Sequence, residues 1–131
     1  LKLIQQEGVE WCGRVGQDLI AKELMKADIM LYPPHHFRET YGIAFLEAQA
    51  AGCLCVYRQN GALGETVGNR GIPIKVDATP DQIVDLLVTT LGKEGDIIKL
   101  RERARNYAMS HTWSAQADKF LKLYEMLEEG K

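Results

Sequence analysis

"ADIMLYPPHHFRETYGIAFLEAQAAGCLCVY", residues 27–57, holds two short apolar runs separated by an apolar run of helix length. "DIMLYPP" (28–34) is stopped by two prolines and reads as a buried strand, and "CLCVY" (53–57) as a second. Residues 42–51 between them read as a helix that is apolar nearly all round. Strand, crossover helix and strand make a unit whose strands run parallel.

Working outward, "VEWCGRV" (9–15) mixes β-branched and aromatic residues and predicts a short strand. A helix follows from about Gln17 to Ala27, with Ile20, Leu24 and Ala27 on one face. Downstream, "NGALGETV" (60–67) predicts a turn opening a short helix, and "GIPIKVD" (71–77) a last strand at a sheet edge, because Pro73 cannot donate to a ladder. Thr79 and Gln82 are spaced as a capping box around Pro80, heading a helix whose inner stripe is Ile83, Leu86, Leu87 and Thr90. A further helix is expected from about Asp96 to Ser110. Ser114 is expected to cap a third, in which Ala117, Phe120, Leu121, Tyr124 and Leu127 recur at helical spacing. Alternating strands and helices predict an α/β fold, a parallel sheet with helices on both faces. The expectation is one domain over 1–131, with residues 114–129 as a C-terminal helix.

Composition removes several classes of function. The chain is 46% hydrophobic and 26% charged, ordinary for a globular domain. Sixteen Lys and Arg against eighteen Asp and Glu give −2, so no bulk field holds a nucleic acid or an anionic membrane, and a bound anion must be held locally. Cys12, Cys53 and Cys55 lack zinc-type pairs and are odd in number; Cys53 and Cys55 are expected as small buried strand residues. This fits a cytoplasmic protein, and neither a signal peptide nor a membrane-spanning run is apparent. No metal-ligand cluster appears. Gly13 and Gly16 are only part of a dinucleotide fingerprint, so a nicotinamide site is not expected.

Chemistry concentrates at Glu39 and Glu47. At about 100° per residue, Glu47 falls about 40° from Ile43 on the 42–51 helix. In a helix buried on both faces such a carboxylate needs a partner: a distant base such as Arg14 or Arg58, or ligand hydroxyls. The plain alternative is a structural ion pair or cap. Glu39 lies in the preceding loop, where Gly42 permits close approach of backbone to ligand. The first-turn amides near Gly42 and Ile43 lack intrahelical acceptors and suit a phosphate or diphosphate. Two acceptor-only carboxylates flanking a diphosphate call for hydroxyls on either side, which describes a nucleotide sugar.

Glu39-x7-Glu47 within "ETYGIAFLEAQAAG", preceded by "ADIMLYP" and followed by "GALGETV" and "TWS", resembles the C-terminal, donor-binding domain of the retaining glycosyltransferase family 4, from about Val9 to Leu127. The resemblance implies the Rossmann-like C-terminal half of a GT-B fold, with a hexose transferred from a nucleoside-diphosphate sugar to a glycan, lipid or other acceptor. It implies that Glu39 is catalytic and, with Thr40, contacts the donor sugar. Tyr41, Gly42 and Ile43 would bind the diphosphate through backbone amides, Glu47 the ribose, and Gly13, Arg14 and Val15 would lie near the nucleobase. It implies no metal or other cofactor. "GCLCV" departs from the family's usual Pro-Val after Ala-Gly. The family's upstream strand and helix, which carry a basic pair for the diphosphate, and its N-terminal acceptor domain have no counterpart in these residues. Weak donor binding and no transfer by this chain alone are therefore expected, with any peripheral membrane contact made through the missing domain.

Other candidates read as structural. His35 and His36 suit solvent-facing loop positions, Trp113 a core anchor, and Glu65 a helix end. Lys99, Arg101, Arg103 and Arg105 form a basic helix surface, solvated or docking another domain. Two further functions share the pattern: a nucleotide-sugar epimerase of similar architecture, and a non-catalytic interaction module.

Overall fold

The structure, a computed structural model, describes residues 2–33 and 38–130. His35 and His36 lie outside the described residues. Three parallel strands, β1 (Ile29–Tyr32), β2 (Leu54–Arg58) and β3 (Ile72–Ile74), lie in the order β1-β2-β3. Met30 pairs with Cys55 and Val56 with Ile72. Among the described residues six α-helices accompany them: α1 (Gln17–Lys26), α2 (Ile43–Ala51), α3 (Leu63–Thr66), α4 (Pro80–Leu91), α5 (Glu94–Met109) and α6 (Trp113–Glu129).

β2 is central and buried along its length. Alternation along it divides the core in two. Cys53, Cys55 and Tyr57 pack with Phe45, Ala48, Leu63 and Val67 on one side, where α1 adds Leu24. Leu54 and Val56 pack with Ile74, Ala78 and Ile83 on the other, where Leu86, Leu87, Ile97 and Leu100 of α4 and α5 close the layer. The sheet is thus covered on both faces, and β3, with Pro73, is at an edge. At α4 the capping box is complete: Gln82 N–H donates to Thr79 Oγ1 at 3.4 Å, and Thr79 N–H to Gln82 Oε1 at 2.9 Å.

Three expectations fail. Residues 9–15 form no strand; Trp11 is 73% exposed, and no strand among the described residues offers them a ladder. Thr112, not Ser114, caps α6: its extended backbone lets Oγ1 accept from Ala115 N–H at 3.2 Å, which places Ser114 inside the first turn. Trp113 is no core anchor but 81% exposed, and Phe120, Leu121, Tyr124 and Leu127 are exposed with it. None of the described elements covers that stripe of α6.

Candidate functional site

The carboxyl ends of β1 and β2 lead into the loop that carries Glu39 and into the turn at Gly61. The two meet in a parallel bridge, with Ala62 N–H donating to the Glu39 carbonyl at 2.8 Å. Only glycine fits position 61: its φ is +64° and a Cβ there would stand 2.4 Å from the Glu39 carbonyl oxygen. A second tie follows, from the buried Thr66 hydroxyl of α3 to the Tyr41 carbonyl. Gly42 then turns the chain into α2 through a left-handed conformation, φ +81° and ψ 50°, and its carbonyl accepts from Phe45 N–H at 2.9 Å.

α2 buries Phe45, Ala48 and Gln49, and shows Ile43 and Glu47 to solvent. The expectation of a buried, partner-seeking Glu47 is corrected: the helix is apolar all round but covered on one side only, and Ile43 and Glu47 share the open face. Neither proposed basic partner reaches it. The ion pairs among the described residues are Lys26–Glu23 at 2.7 Å and Arg101–Asp28 at 3.6 Å. Arg58, fully buried, donates instead to the carbonyls of Lys75 (3.0 Å), Val76 and Ala78 (3.3 Å).

Glu47 stands on a ridge between two open grooves. One, of about 520 Å³, runs between α2 and the Gln17, Ile20, Ala21 and Leu24 side of α1. Gly13, Arg14 and Val15 precede that helix directly in the chain. The other, of about 490 Å³, has Tyr41 and Ile43 on one wall and Ala108, His111 and Trp113 on the other. Tyr41, Ile43 and Glu47 are therefore brought together around one space. Glu39 and Thr40 are not in it; they line a separate recess of about 290 Å³ with Tyr32 and Arg38. Among the described residues no His, Cys, Asp and Glu group could hold a metal ion.

Several residues around the site carry no signal in the sequence. Gln49 is fully buried, and neither its amide nitrogen nor its oxygen has a partner among the described residues. Arg101 donates to the carbonyl of Gly52, the residue that ends α2, at 2.5 Å. The Arg70 guanidinium lies 3.5 Å above the Tyr107 ring, which in turn stacks on His111 at 3.9 Å. Arg101 was legible only as part of a basic surface, and the others depend on contacts between distant segments.

A parallel sheet covered on both faces, with loops gathered at its carboxyl ends, is the class of domain found in GT-B glycosyltransferases. Sucrose-phosphate synthase from Thermosynechococcus elongatus shares this fold with a TM-score of 0.79, over 99% of this chain and 34% of that one, at 18% identity. Residues 1–111 match the family "Glycosyl transferases group 1", and the chain belongs to that family. Two relatives are D-inositol 3-phosphate glycosyltransferases, each 31% identical. That of Corynebacterium glutamicum matches over 75% of this chain and 23% of its own, and that of Corynebacterium jeikeium over 97% and 31%. The chain thus spans between about a quarter and a third of the length of these relatives.

Proposed function

We propose that this chain is the donor-binding part of a retaining, cytoplasmic glycosyltransferase that moves a hexose from a nucleoside-diphosphate sugar to an acceptor. The observation that carries the reading is the placing of Tyr41, Ile43 and Glu47 around one groove that runs along α2 from its start. In it, the amides of Tyr41, Gly42 and Ile43 hold the diphosphate and Glu47 accepts from the ribose hydroxyls. The nucleobase lies toward Gly13, Arg14 and Val15, and Glu39 with Thr40 takes the donor sugar from the neighbouring recess. Glu39 faces the reacting sugar.

When the sugar leaves, charge grows on the diphosphate, and a helix N-terminus offsets part of it. The remainder needs cationic groups from outside these residues, as acceptor binding needs another domain. No metal enters the scheme. The chain alone therefore binds donors weakly and transfers nothing; sugar transfer by the purified 131-residue chain overturns that part.

Titration with UDP, GDP and ADP sugars tests the binding. Glu47→Gln removes an acceptor charge from hydrogen bonds worth about 1.5–3 kcal/mol, so affinity for the preferred donor falls about tenfold or more. Unchanged affinity removes Glu47 from the ribose site. Absence of binding to every donor favours an interaction module, and a product epimerised on the sugar favours an isomerase.

A further inference from the structure

We propose that Thr66 is a positioning residue: its hydroxyl sets the orientation of the peptide between Tyr41 and Gly42, and so aims the Gly42 amide at the anion. The assignment of that anion as a diphosphate rests on the reading above.

The argument starts from peptide geometry. In a trans peptide the carbonyl of one residue and the N–H of the next lie in one plane and point in opposite directions. The peptides among the described residues are trans. Fixing the Tyr41 carbonyl toward Thr66 therefore directs the Gly42 N–H away from Thr66. Gly42 is buried, yet its N–H has no acceptor among the described residues. It is one of the helix-start donors that lack an intrahelical acceptor, the kind of donor an anion takes up.

The glycine makes the pin necessary. A residue at φ +81° with no side chain has wide freedom in both dihedrals, and without a tie the peptide could rotate. Thr66 supplies the tie from a rigid base. It is 4% exposed, and Arg70 donates to the carbonyls of Glu65 at 3.0 Å and Thr66 at 3.1 Å. The same guanidinium lies on the Tyr107 ring of α5. A four-residue helix that would otherwise be weak is thus held by a helix of sixteen.

Thr66→Val keeps the shape and removes the hydroxyl; Thr66→Ser keeps the hydroxyl. Two measurements on the 131-residue chain separate positioning from the ligand assignment. The first is the amide resonance of Gly42 in the ligand-free protein. It moves in Thr66→Val and returns in Thr66→Ser. The second is titration with inorganic pyrophosphate, and with UDP, GDP and ADP beside their nucleosides. Loss of one hydrogen bond's worth of alignment weakens pyrophosphate and the diphosphates about fivefold in Thr66→Val, leaves the nucleosides unchanged, and is rescued in Thr66→Ser. If Thr66→Val does not fold, Thr66→Ala replaces it. A Gly42 resonance identical in all folded variants overturns the proposal. So does a diphosphate affinity that ignores the hydroxyl. If the unaltered chain binds neither pyrophosphate nor any nucleoside diphosphate, the diphosphate reading fails, and the Gly42 resonance alone decides whether Thr66 positions the turn.

Discussion

Glu47 and Gln49 are the two polar side chains of α2, and two positions on a helix are enough to send them to opposite fates. Glu47 faces the grooves; Gln49 faces the interior with no hydrogen-bond partner among the described residues. An unpaired buried amide costs about 1–3 kcal/mol, so a side chain of similar length without polar atoms relieves it. Gln49→Met is expected to raise the unfolding free energy by about 1 kcal/mol, read from urea denaturation with an unchanged m-value. A loss of stability would mean that the amide has a partner in solution. Periodicity ranked Glu47 as the anomaly because it assumes that an apolar helix is covered on every side. Coverage is a property of the neighbours, so periodicity misplaces the buried polar group of this helix by two positions.

At the scale of elements, local chemistry was the better guide. α1, α2, α4 and the three strands of the sheet fall where pattern and punctuation place them, since prolines, glycines and caps act within a few residues of themselves. The capping box at α4 is the clearest case. Thr79→Ala removes one side of it and is expected to destabilise the chain by about 1 kcal/mol, with Thr79→Ser close to the parent, by chemical denaturation. The element that failed is the strand at 9–15. Its residues have the right preferences, but a strand exists only through its ladder, and no described strand pairs with it.

At the scale of the molecule, the two half-cores meet on β2, and the cysteines report on their closure. Cys53, Cys55 and Cys12 are free thiols, the first two fully buried. Burial, followed by the influence of Cys53, pushes the Cys55 thiol up to about 12 from the ordinary 9.0. Burial also raises Cys53, against the pull of Arg101. The folded chain thus keeps a proton that the unfolded chain releases. Stability from this source is complete below pH 9 and is lost as pH rises from there toward 12, by at most about 1.4 kcal/mol per pH unit for one thiol. Urea midpoints at pH 8 to 10.5 should fall, and should fall less steeply in Cys55→Ala. Equal slopes in both proteins would show that Cys55 titrates alike folded and unfolded.

The strand and helix alternation, the parallel sheet, the cap at Thr79 and the Glu39-to-Glu47 spacing follow from the order of residues, because each depends on backbone preference and side-chain period over a few turns. Tertiary packing alone decided that Glu47 is open while Gln49 is closed, and that Trp113 stays in solvent. It also brought Thr66 to Tyr41 and Gly61 to Glu39. These pairings join segments about 20 residues or more apart, and their energies depend on which surfaces meet, which no local pattern encodes.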